Sequence, residues 1–160
     1  MKRKPKIKVL PGMVFGVPQK DSLLLVGQVL ERPSDPLMSM VLFDHRVASA
    51  DAADLPPLQT LRVLATATTF PDGIERSIWP VIKENEPLAL PQSQWPNEHA
   101  RAKQWVGRRV NNSLIIEDFV NACAGLIPWR SYAATPDYFD KMLFPGVQRP
   151  KEADLIGRPT

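Results

Sequence analysis

Few side chains in this chain can make or break bonds. Among 160 residues there are two histidines, His45 and His99, and one cysteine, Cys123. A zinc site draws on about three or four converging imidazoles, thiolates or carboxylates, and these three residues show no ligand spacing. Asp44 and His45 are acid–histidine neighbours, but adjacent strand residues point to opposite faces and make a poor orienter–base pair. Cys123 falls on the apolar stripe of an expected helix, the place of a structural thiol rather than a nucleophile. Val106-Gly107-Arg108-Arg109 has one glycine and no following Lys-Ser or Lys-Thr, so it is not a phosphate loop. No metal or cofactor is expected. Hydrolysis using His45 or Cys123 is the weakest of three function classes.

Charge offers more than nucleophilicity. Asp72, Glu75, Glu84 and Glu86 flank a segment containing Trp79, with only Arg76 and Lys83 against them. They read either as edge charge that discourages sheet aggregation or as a rim for a basic partner. Arg101, Lys103, Arg108 and Arg109 surround Trp105. Arginines interleaved with an aromatic can hold single-stranded nucleic acid, although a tryptophan in a strand pattern also serves the core.

The net charge of +3 hides an uneven distribution. Lys2, Arg3, Lys4, Lys6 and Lys8 carry five of the 20 basic residues, leaving 15 basic against 17 acidic elsewhere, a balance of −2. A basic tail over 1–8 is therefore expected ahead of a single domain over 9–148, with a C-terminal tail over 149–160. Such a tail can touch nucleic acid or anionic lipid, or be simply solvated. No run reaches the roughly 18 apolar residues of a membrane span, Pro5, Lys6 and Lys8 interrupt any signal-peptide core, and a lone cysteine fits a reducing compartment. A cytoplasmic protein is expected.

The elements that must carry these groups are short, since 17 prolines stand against eight glycines. Pro11–Pro18, Leu23–Arg32 and Leu37–Asp44 read as three successive antiparallel strands, the first two joined by a loop at Gln19–Ser22. The second and third are apolar on both faces, so the sheet must be covered on both sides or rolled into a small barrel. Gly16 and Gly27 suit a bent sheet. Further strands are expected at Leu58–Phe70, Glu75–Lys83 and Lys103–Val110, and a helical turn or two between Arg46 and Pro57. Trp95 should pin the proline-rich connection 85–96. Ile116, Phe119, Val120, Cys123 and Ile127 form a helical stripe. Thr135-Pro136-Asp137 opens a second, shorter helix. The expected fold is α+β: a strongly bent, barrel-like antiparallel sheet of about five or six strands with two C-terminal helices packed on it.

The opening Gly12-x-Val14-Phe15-x-Val17-Pro18, then Gly27-Gln28-Val29-Leu30 and Val41-Leu42-Phe43-Asp44, followed by Trp79-x-Val81-Ile82, resembles immunity protein family 26 of bacterial polymorphic-toxin systems. The likeness covers residues 11 to 83, about half the chain. It implies a non-catalytic protein that binds and neutralises a cognate toxin. The alternative from a different class is a small sheet-based nucleic-acid-binding module using the basic N-terminal tail.

Overall fold

The computed structural model describes residues 5–51, 54–132 and 134–150. Five strands form one antiparallel sheet: β1 (Val14–Pro18), β2 (Leu24–Glu31), β3 (Met38–Val47), β4 (Val63–Thr69) and β5 (Val81–Lys83), in the order β4-β3-β2-β1-β5. Three helices are scattered along the chain: α1 (Asp72–Glu75), α2 (Glu98–Arg101) and α3 (Ser113–Cys123).

The barrel expectation is overturned. The sheet does not close, because β4 and β5 stand at opposite edges. The two-faced apolar strands instead serve a three-layer arrangement. Alternation sends Phe15, Val17, Leu25, Val29, Met40 and Leu42 to one face, where Ile116, Phe119, Val120, Trp129 and Phe139 cover them. Val14, Val26, Leu30, Val41 and Phe43 go to the other, beneath Leu58 and Leu90. Gly27 does not bend a barrel shut. A Cβ there would lie 2.7 Å from the Phe15 ring, so the missing side chain lets that ring cross the neighbouring strand.

Nor do the described residues form two C-terminal helices. α3 forms as expected, with Asn112 as N-cap accepting from Ile115 N–H at 2.9 Å. The segment after Thr135 makes only a 3₁₀ turn at Asp140–Met142. Leu143 pairs with Ala65 of β4, which obliges the chain to be extended there. Trp129, Tyr132, Tyr138 and Phe139 fill the space with edge-on and tilted ring contacts.

Other segments depart from expectation for local reasons. Lys103–Val110 is not a strand: Gln104, Trp105 and Gly107 all take positive φ, which breaks any ladder. Of Glu75–Lys83 only Val81–Lys83 pairs, and Trp79 lies outside the sheet, fully buried. Leu58–Thr60 is a 3₁₀ turn before β4. The helical turn expected between Arg46 and Pro57 falls partly on 52–53, outside the described residues, and Arg46 and Val47 belong to β3. Of the basic tail, residues 1–4 lie outside the described residues, while Ile7 packs on the core and donates its N–H to Glu75 C=O at 3.2 Å. Of the C-terminal tail, 151–160 likewise lie outside them.

Buried polar side chains tie the irregular segments to the sheet. Gln19 Nε2 donates to Val120 C=O at 2.7 Å and Asn121 Oδ1 accepts from Lys20 N–H at 2.8 Å, joining the β1–β2 turn to α3. Gln28, fully buried in β2, donates to Pro87 C=O and accepts from Ala89 N–H, both at 3.0 Å. Trp95 Nε1–H reaches Leu90 C=O at 2.8 Å in the same connection. Gln28→Ala strands two of those backbone groups. It should cost about 1–3 kcal/mol, read as a lower urea midpoint with faster exchange of the Ala89 amide. An unchanged midpoint would mean that apolar packing alone holds the connection.

Candidate functional site

The chemistry-bearing residues singled out in the sequence do not converge. His45 lies in β3 and His99 in α2. Among the described residues no group of three or more His, Cys, Asp or Glu could hold a metal ion. Cys123 ends α3 beside a cleft it shares with Asp44, Arg46, Arg62 and Val147. Burial pushes its thiol well above the ordinary cysteine range, and the Asp44 carboxylate adds to the effect. A thiol held protonated in this way is a poor nucleophile.

The four acids divide between the two layers. Asp72 and Glu75 both belong to α1, whose Ile74 is in the α3-side core. Glu84 and Glu86 follow β5, whose Ile82 packs on the opposite core. Glu86 also lines a cleft with Val14, Leu58 and Pro87.

Asp72 is further constrained. Its Oδ2 accepts from Ser113 Oγ at 3.0 Å, while its Oδ1 is buried with no partner among the described residues. This contact brings α1 to the start of α3. Nearby, Trp79 Nε1–H donates to Glu117 Oε1 at 3.0 Å. The parallel bridge Thr69–Asn111 runs the chain after β4 alongside the chain before α3. Three exposed apolar side chains each adjoin in sequence one of these linked residues: Phe70 follows Thr69, Ile78 precedes Trp79 and Leu114 follows Ser113, at 42%, 52% and 68% exposure. Leu114 sits one helical turn from Glu117, and Ile78 precedes the tryptophan that Glu117 holds. Sequence periodicity missed this group because its members come from three segments of no common period.

The basic constellation is largely spoken for. Arg101 pairs with Glu31 and, through Nε, with both oxygens of Glu98 at 3.0 Å. Its guanidinium lies 4.8 Å from the Trp105 ring centroid and 5.9 Å from that of Trp95. Trp105 thus already carries an internal cation on one face. Arg108 donates to Ser34 Oγ at 2.9 Å.

Comparison of the chain with protein-family models, with curated proteins and with solved structures gives no match. Among the described residues no helix is long and apolar enough to cross a membrane.

Proposed function

We propose that this is a non-catalytic binding protein that holds a basic partner protein against the end formed by α1 and the start of α3. The observation that carries the reading is exposed apolar side chains on the segments that the Asp72–Ser113 bond joins: Phe70 two residues before Asp72, Ile78 three after Glu75, and Leu114 next to Ser113. Apolar anchors with a charged rim are the anatomy of a protein interface. The rim's sign suits a cationic partner and would speed its association. The resemblance of residues 11–83 makes that partner a cognate toxin, and an immunity role is cytoplasmic, where one reduced cysteine is at home. The nucleic-acid alternative has less support, because Arg101 already occupies Trp105.

The test uses the toxin encoded beside this chain's gene, co-expressed and then assayed by surface kinetics. Wild-type protein should bind it and protect cells. Leu114→Asp should raise Kd at least about tenfold, or 1.4 kcal/mol, mainly through faster dissociation. Glu75→Lys should slow association, since a rim charge acts on the encounter. Glu84→Lys/Glu86→Lys, on the other layer, should leave both rates unchanged. Asp72 is left intact because its bond to Ser113 joins the two helices. If the wild type binds no such toxin but is retained on DNA in a salt-sensitive way, the immunity reading fails.

A further inference from the structure

We infer that the outer edge of β4 is a docking slot for an extended, carboxylate-bearing peptide segment of another protein. β4 is an edge strand whose outer side the described residues bridge at two points. Leu143 bridges Ala65, with Phe144 N–H donating to Leu64 C=O at 2.9 Å, and Asn111 bridges Thr69, its N–H donating to Thr68 C=O at 2.9 Å. The carbonyls of Leu64 and Thr68 therefore point away from β3, and strand alternation turns the backbone groups of Thr66 the same way. Between the bridges, Thr66 C=O and Thr68 N–H face outward with no backbone partner among the described residues. One acceptor and one donor so spaced pair a short extended segment at the single position opposite Ala67, between the two bridges.

This gap opens into a cleft of about 250 Å³ whose lining includes Thr66, Asn97, His99, Arg109 and Lys141. The cleft runs on past Trp95, Pro96 and Phe144 into a groove of about 700 Å³, within the roughly 300–1,000 Å³ of ordinary ligand sites. No carboxylate lines the first cleft. In the second, Glu98 is already held by Arg101. Arg109 has no ion pair or side-chain hydrogen bond among the described residues, and Lys141 has only an exposed pair with Asp137 at 3.4 Å. A guanidinium fork unspent on the protein's own acids matches a carboxylate.

The frame is preorganised. Asn97, in the left-handed region at φ 60°, donates to Thr68 Oγ1 at 2.9 Å and to Arg109 C=O at 2.7 Å, and accepts from Arg109 N–H at 2.7 Å. It fixes the backbone that carries Arg109 against the strand that carries the slot. A peptide supplies the donor and the acceptor, from a single residue if it runs parallel to β4 or from residues two apart if antiparallel, together with the carboxylate. A phosphodiester has no such donor, and one face of Trp105 already carries Arg101.

The probe is a fluorescein-labelled, capped Val-Asp-Val-Asp-Val peptide, followed by anisotropy and by the amide shift of Thr68. Saturable binding is expected. A scan of single N-methylations along the peptide should find at least one position that weakens binding about tenfold or more, and Asp→Asn versions should weaken it similarly. Arg109→Glu and Lys141→Glu should each do the same with an unchanged melting temperature; both side chains are exposed, so the two variants guard against one misfolding. The inference is overturned if the peptide shows no saturable binding at millimolar concentration. It is also overturned if every N-methylated peptide binds equally, if both charge reversals are silent, or if inorganic phosphate or an oligothymidylate shifts the Thr68 amide as strongly as the peptide.

Discussion

Phe119→Ala should destabilise the protein by about 3–5 kcal/mol, the range for removing a buried phenylalanine from a core that collapses incompletely. Phe119 is fully buried, one helical turn from Ile116, with Trp129 at 6.0 Å and Phe139 at 5.7 Å between ring centroids. Trp129 and Phe139 come from the irregular chain after α3, where the described residues form one 3₁₀ turn and a single bridge to β4. Loss of the Phe119 ring therefore removes the surface against which that chain is ordered. Urea unfolding should show the lower midpoint, and near-ultraviolet dichroism at low urea should show Trp129 loosened before the sheet unfolds. A cost of about 0.5 kcal/mol, typical of surface positions, would place Phe119 outside the contact between α3 and the sheet.

The parts of the fold legible in the sequence were those with a period. β1 to β3 showed through continuous apolar runs bounded by turn residues, and α3 through its stripe. The same runs gave the need for cover on both faces but not its form. A closed barrel and a three-layer sheet ask for the same residues, and the choice was made by the short β5 and by Leu143 returning to β4. Tryptophans misled in opposite ways. Trp79 reads as a strand residue but sits behind a one-turn helix, because Pro80 and positive φ at Ser77 keep the segment out of the ladder until Val81. Trp105 reads as strand or base platform, and is in fact a half-buried partner of Arg101 in a series of turns.

Sites made by tertiary contact left the weakest trace. The four acids stand close in sequence, yet the edge strand β5 runs between the two pairs and sends them to different layers. The β4 slot combines Thr66 and Thr68 with Asn97, Arg109 and Lys141, spread over some 75 positions. Only Asn97, an asparagine before a helical turn, carries a local signal, and that signal reads equally well as a cap. Its side chain instead joins β4 to the Arg109 backbone.

Trp79→Ala should cost about 3–5 kcal/mol, and its interaction with Gly73 separates packing from local propensity. The Trp79 indole is fully buried, stacked on Phe15 at 5.7 Å and 14°, with Phe15 passing over Gly27 and the indole also lying against Gly73. Two glycines thus make room for an aromatic pair that ties α1 to β1 and, through Glu117, to α3. A Cβ on Gly73 would meet Trp79 Cδ2 at 2.4 Å, so Gly73→Ala should cost about 1–3 kcal/mol by overpacking. Yet α1 itself would favour alanine over glycine by about 1 kcal/mol. Once the indole is gone the clash is gone too, and adding Gly73→Ala to Trp79→Ala should be neutral or slightly stabilising. The double-mutant cycle should therefore show a coupling of about 1–3 kcal/mol, well beyond the scatter of independent sites. Additive costs would mean that Gly73 is required by its backbone rather than by the ring. The α1–α3 end would then be positioned by turn geometry, and Trp79→Ala, refolded around its cavity, should still present Leu114 and Glu75 to the partner with unchanged kinetics.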